Sequence, residues 1–226
     1  MPLEASGQEW FSFAYGQDWQ RHAGFFATEH AKVLVRDNPG LDPALREQQA
    51  RRLAQVSAWA GEASRSLILE LLVPATDADK DATAGSTARY DDKLRPGYTL
   101  KVMEYLQDHG VDPAMWKVEG LDRHDDAVAV AATAQRGGRQ ARCIVLGRHA
   151  KHDSLEHWLQ VAAPIPGWTG FAIGRSIWWD PLHAHLHHRC TAGAVRRRIR
   201  AAYLDYARYY LKAREGMLPA EPDPVL

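Results

Sequence analysis

The chain has 226 residues, enough for one sizeable domain with a full core, and its 46% apolar and 25% charged content is that of an ordinary globular protein. Its 28 basic residues balance 28 acidic ones, so no overall field draws it to nucleic acid or to an acidic membrane surface. No apolar run is long enough to span a bilayer, and the opening Met1-Pro-Leu-Glu-Ala-Ser-Gly7 lacks the basic and apolar regions of a signal peptide, so the cytoplasm is the expected location.

Phe11-Ser-Phe-Ala-Tyr15 alternates like a short strand and is closed by Gly16. His30 to Arg36 reads as a second strand, ended by the turn signal Asp37-Asn-Pro-Gly40, and Pro43 sits where a helix can begin. Leu45, Leu53, Val56 and Trp59 predict an amphipathic helix over 44–62. Ser66 to Val73 is nearly all apolar apart from Glu70, the composition of a strand covered on both faces. Residues 75–89, rich in Ala, Asp, Thr, Ser and Gly, predict a surface loop. Helical patterns over 97–108 and 122–136 flank a strand at 114–120. Two more strands, 141–146 and 168–173, each run into a Gly-Arg pair, with a helix over 154–162 between them. Residues 181–215 read as helical with a break at 191–193, which sets a domain over 1–215 and a loose tail over 216–226.

Six strands alternating with helical segments mean a parallel sheet, closed as a (β/α) barrel or open and doubly wound. No Gly-rich dinucleotide fingerprint and no Walker lysine loop is present. A complete barrel needs about eight strands.

The chemistry lies in the charges that these strands carry. Strand side chains alternate, so Lys117 and Glu119 share one face, and parity can also bring Lys32 and Glu70 inward from neighbouring strands. A carboxylate between two ammonium groups suits carbonyl chemistry, with a lysine attacking to form an imine and the carboxylate moving protons; the same charges could equally form an ion-pair plug. The endings Leu146-Gly-Arg148 and Ile173-Gly-Arg175 match a phosphate site, in which glycine amides approach the anion and arginine adds a bidentate fork. His183, His185, His187 and His188 cannot all face one ion from a helix, so no metal site is expected; Cys143 and Cys190 read as free thiols. Arg196 to Arg200 reads as a solvated helix face, and Tyr203, Tyr206, Tyr209 and Tyr210 as packing.

The segments His30-Ala-Lys-Val-Leu-Val-Arg-Asp-Asn-Pro39, Leu69-Glu-Leu-Leu-Val-Pro74, Leu94-Arg-Pro96, Trp116-Lys-Val-Glu-Gly120, Val145-Leu-Gly-Arg148 and Gly170-Phe-Ala-Ile-Gly-Arg175 resemble the aldolase-like domain at the C-terminus of bacterial 5-dehydro-2-deoxygluconokinase, of inositol catabolism. More distantly they resemble tagatose 1,6-bisphosphate aldolase. The resemblance implies a TIM-type (β/α) barrel, N-terminally truncated here to six βα units because relatives begin with two more. It implies a class I carbon–carbon lyase that needs no metal or other cofactor. Lys117 would form the imine, Glu70 would transfer protons and Lys32 would be the second active-site lysine. By the same resemblance Gly147, Gly174 and Arg175 would hold the phosphate of a phosphorylated sugar; the Gly-Arg spacing adds Arg148 and strand parity adds Glu119 to the binding set. The implied substrate is 2-deoxy-5-keto-gluconate 6-phosphate, giving dihydroxyacetone phosphate and malonate semialdehyde. The exposed edges of a shortened sheet would call for closure by a partner or a second copy, so a homo-oligomer is expected. Two other readings use the same residues: a catalytically impaired barrel that binds a sugar phosphate or a partner protein, and a sugar-phosphate isomerase or epimerase with Glu70 as base.

Overall fold

The computed structural model describes residues 1–26, 28–147 and 150–216. Runs of Val, Leu and Ile make five parallel strands: β1 (His30–Arg36), β2 (Ser66–Leu72), β3 (Met115–Glu119), β4 (Arg142–Leu146) and β5 (Trp168–Ala172). They lie side by side in sequence order. Among the described residues β5 does not pair with β1, so the sheet is open.

One face of this sheet is sealed. Ala31, Val33, Val35, Leu67, Leu69, Leu71, Trp116, Val118, Cys143 and Val145 are at most 2% exposed. They form a core with α2 (Pro43–Glu62), α5 (Arg95–Asp108), α6 (His124–Ala134) and α7 (His152–Ala162). Helix α2 starts where Pro43 fixes φ and the Asp42 carboxylate accepts from the Ala44 and Leu45 amides. The alternate residues Lys32, Leu34, Arg36, Ile68, Leu72, Met115, Lys117 and Ile144 point the other way and are half-buried. The apolar run of β2 predicts helices over both faces; the structure corrects this, because helices cover one face and the other lines open clefts.

The first predicted strand, 11–15, is also corrected. Phe11 is wholly buried, its amide donates to Gln49 Oε1 at 2.9 Å, and Phe13 stacks on Trp19 of α1 (Trp19–Phe25). The alternation there reflects aromatic insertion into the core, and among the described residues five strands form where six were expected. The edge of β1 is met instead by residues 1–4: the Leu3 amide donates to the Lys32 carbonyl at 2.9 Å and the Lys32 amide to the Met1 carbonyl at 2.8 Å. Pro2 bridges Lys32 in parallel, and Glu4 bridges Phe13 antiparallel.

The expected loop over 75–89 contains two short helices, α3 (Asp77–Ala82) and α4 (Thr87–Lys93). A capping box holds α3, with Thr76 and Asp79 exchanging side-chain and backbone hydrogen bonds. Asp79 also accepts from Asn38 Nδ2 and Tyr98 Oη, both at 3.0 Å. Caps and tertiary bonds stabilise helices too short for hydrophobic periodicity to reveal. Two long elements finish the chain, α8 (Arg175–Leu186) and α9 (Ala192–Arg214). Helix α8 begins straight after Gly174, so Pro181 lies inside it and does not start it. Residues 217–226 of the expected tail lie outside the described residues. No helix among the described residues is long and apolar enough to cross a membrane.

Gly120, just past β3, is where packing is tightest. A Cβ there would lie 1.9 Å from Trp158 Cδ2, while its carbonyl accepts from the buried Arg95 Nη2 at 2.7 Å. Gly120→Ala should therefore cost about 1–3 kcal/mol through overpacking. Gly61→Ala, in α2 with nothing within 4 Å of the new methyl, should gain about 0.5–1 kcal/mol. Urea unfolding of the two variants checks both signs.

Candidate active site

Register brings the charged residues of the open face together. Glu70 is directly opposite Lys117 in the β2–β3 pairing, whereas Lys32 is one side-chain repeat lower on β1, opposite Ile68. Glu70 Oε1 lies 3.1 Å from Lys117 Nζ and Oε2 lies 2.9 Å from Lys32 Nζ. Lys32 Nζ also contacts Glu4 Oε1 at 2.6 Å. Two carboxylates and two ammonium groups thus alternate in a row across the sheet: Glu4, Lys32, Glu70, Lys117. The side chains retain only 11–23% of their exposure, so each charge depends on its neighbour.

The titration of the row follows from that dependence. Burial disfavours the Glu70 carboxylate, but the hydrogen bond from Lys32 and the field of Lys117 outweigh it and hold its pKa below 4.5. Burial likewise disfavours charge on Lys32, but hydrogen bonds to Glu4 and Glu70 prevail and its pKa lies above 10.5.

A cleft of about 500 Å³ opens over Glu70 and Lys117 at the C-terminal ends of the strands. Arg36, Gly147, Gly174, Arg175, Ser176 and Trp178 also line it. At Gly147 a Cβ would lie 3.3 Å from the Ile173 Cα, so the absence of a side chain lets the β4 and β5 ends close up beneath the cleft. Gly174 caps α8 without any side-chain hydrogen bond, leaving the first amides of that helix at the cleft wall. Lys32 supports the cleft from below as the partner of Glu70. Arg148 lies outside the described residues.

Glu119 is in a different place. It is 6% exposed, its Oε2 accepts from the Val73 amide at 2.9 Å, and it lines a neighbouring cleft of about 410 Å³ together with Arg36, Lys80, Ser86, Thr87 and Tyr90. Glu119 follows Lys117 by one side-chain repeat on β3 and braces the backbone after β2 through that bond. Cys143 is buried in the helix-covered core with its thiol pushed up to about 12, remote from any reactive role. Among the described residues no group of His, Cys, Asp and Glu is arranged to hold a metal ion.

The family model described as "Uncharacterized protein conserved in bacteria (DUF2090)" matches residues 1–214. The chain belongs to the DUF2090 family. A search among curated proteins found no match. Among solved structures, this DUF2090 chain is similar to fructose-bisphosphate aldolase from Plasmodium falciparum, with a TM-score of 0.67 at 10% identity over 97% of this chain and 69% of that one. It is also similar to Cgl0159 of Corynebacterium glutamicum, with a TM-score of 0.52 at 17% identity over 82% of this chain and 55% of that one. At such identities the likeness is one of fold, and it gives the DUF2090 chain an aldolase-like α/β architecture.

Sequence reasoning missed Glu4 in the charged row and Arg36 at the cleft wall. Glu4 could not be found, because a three-residue bridge onto β1 leaves no periodicity. Arg36 could have been, because it shares the parity of Lys32 on β1.

Glu70→Gln should lower stability near neutral pH by about 3 kcal/mol, the low end for a buried ion pair that loses one partner, since both lysines keep some water. Because the pKa of Glu70 is depressed on folding, its contribution is present above pH 4.5 and is lost as pH falls through the lower folded value. That of Lys32 is present below pH 10.5 and is lost as pH rises through the higher folded value. Denaturation free energy measured from acid to alkaline pH should therefore show a weaker dependence at both ends in the variant. A variant profile parallel to that of wild type would mean that the row does not govern stability.

Proposed function

We propose that the protein is a class I aldolase acting on a phosphorylated keto sugar, with Lys117 as the nucleophile. The observation that carries this reading is Lys117 Nζ, 3.1 Å from Glu70, on the floor of a cleft that also holds Gly147, Gly174 and Arg175. The aldolase-like fold and the resemblance of the strand motifs support it.

Glu70 takes the ammonium proton of Lys117, and the free amine adds to the substrate ketone to give a carbinolamine. Loss of water, with the proton returned through Glu70, leaves a protonated imine. As the carbon–carbon bond breaks, ionised Glu70 takes the proton of the hydroxyl on the departing carbon, the bonding pair moves into the imine to give an enamine, and the other fragment leaves as an aldehyde. The proton on Glu70 is the one later delivered to the enamine carbon. Protonation of the enamine carbon and hydrolysis release the ketone product and restore Lys117. Lys32 favours the ionised form of Glu70. The phosphate rests on the β4 and β5 ends, where Arg175 and the first amides of α8 present donors. A substrate such as 2-deoxy-5-keto-gluconate 6-phosphate would yield dihydroxyacetone phosphate and malonate semialdehyde.

Borohydride added with dihydroxyacetone phosphate should reduce the imine and leave a stable mass increment on the peptide bearing Lys117. Lys117→Arg should abolish the increment, and Glu70→Gln should slow its appearance by about a hundredfold, the usual contribution of a positioned proton-transfer group. A folded sample with no increment at Lys117 ends the proposal. The ion pair that Lys117 makes favours a second reading, an anion-binding module. It predicts a higher melting temperature in phosphate esters together with no adduct.

A further inference from the structure

Arg36 is the last residue of β1, and its side chain lies on the open face with those of Lys32 and Leu34. It lines both clefts at the C-terminal end of the sheet: the one that holds Lys117 and Arg175, and the one that holds Lys80, Ser86, Thr87 and Tyr90. Half-buried Arg52 and Arg65 are likewise held by backbone carbonyls but line neither cleft, and four other sheltered cations are ion-paired. Lys32, Arg46, Arg95 and Lys117 each have a carboxylate at 3.1 Å or less. Arg36 instead donates through Nη1 to the Gln8 carbonyl at 2.9 Å, and among the described residues it has no carboxylate partner. The bond to Gln8 anchors the guanidinium and leaves most of its five N–H donors for another acceptor. Glu119, which shares the second cleft, directs Oε2 to the Val73 amide.

The position of Arg36 relative to Arg175 gives this spare capacity a meaning. Arg36 ends the first strand and Arg175 follows the fifth, with Lys117 on the third, midway between them. Four strand spacings separate β1 from β5, about 19 Å across a flat sheet, and both side chains extend into the intervening cleft. Between the arginines Lys117 and Glu70 neutralise each other. The cleft is thus positive at both ends and balanced at its centre. A ligand complementary to that pattern carries two anionic groups at opposite ends of a short chain, with its carbonyl between them.

We propose that Arg36 is a specificity-determining residue that binds the second anionic terminus of a doubly anionic substrate, whose phosphate lies at Gly147, Gly174 and Arg175. This rests on the reading of Lys117 as the carbonyl-binding residue. Carboxylate and phosphate share the acceptor geometry that a guanidinium fork recognises, and either can fill the role.

Calorimetric titration of wild type and Arg36→Gln with 6-phosphogluconate, fructose 1,6-bisphosphate and fructose 6-phosphate separates the cases. The expected result is tighter binding of one or both doubly anionic probes than of fructose 6-phosphate in wild type. Arg36→Gln should weaken that tighter binding by about tenfold or more, and change fructose 6-phosphate binding less than threefold, the scale of a lost charge-assisted bond. Preference for 6-phosphogluconate identifies a carboxylate terminus, and preference for fructose 1,6-bisphosphate a second phosphate. Arg36→Lys, which keeps the charge and can keep the bond to Gln8, should recover part of the loss and stands in should the glutamine variant not fold. Equal weakening of all three probes, or no preference for two anions in wild type, overturns the proposal. The borohydride adduct at Lys117 reports separately. An adduct without Arg36 discrimination refutes this proposal alone, and discrimination without an adduct refutes only the aldolase reading.

Discussion

A carboxylate held between two ammonium groups is the interaction on which this site depends. Glu70 cannot stay charged on a half-buried sheet face without Lys32 and Lys117, and neither lysine is well placed there without it. The pairing register of β1, β2 and β3 is what allows them to meet. A slip of one residue would turn Glu70 into the helix-covered core, where Leu69 and Leu71 are almost completely excluded from solvent. The apolar side of each strand therefore fixes the polar side: the core of Val33, Leu69, Trp116 and Val145 sets the register, and the register places the charges.

Much of this was legible in the residues. Apolar runs and alternation marked all five sheet strands, and parity allowed Lys32, Glu70 and Lys117 a common face. What escaped was tertiary in origin. Phe11 and Phe13 alternate like strand residues because both insert into a core, an arrangement that shares its period with a ladder. Helices α3 and α4 depend on Thr76, Ser86 and the bonds to Asp79, and local hydrophobic pattern carries no record of these. Glu119 has the parity of Lys117, and one repeat further along β3 its carboxylate accepts from the Val73 amide, a bond that parity alone does not reveal.

Helices α2, α5, α6 and α7 pack on one face, and this separates the core from the clefts. The sealed face holds the apolar core, including the inert Cys143 thiol. The open face combines half-buried Leu34, Leu72 and Ile144 with the charged row, so its ion pairs are partly shielded from water and remain reachable. Apolar walls with a few convergent charges are the usual make-up of a small-molecule site. Here they lie at the carboxyl ends of parallel strands, where βα connections place loops and helix starts, including the start of α8.

The order of the strands in the sheet is their order in the chain. Each new strand emerging during synthesis can dock against the one made just before it, without waiting for a distant segment. Glu4 and Lys32 can pair first, Glu70 can then join Lys32, and Lys117 comes last, beside a carboxylate already in place. The row of charges thus grows from one end, and at no stage must two like charges be buried as neighbours before the opposite charge between them has arrived.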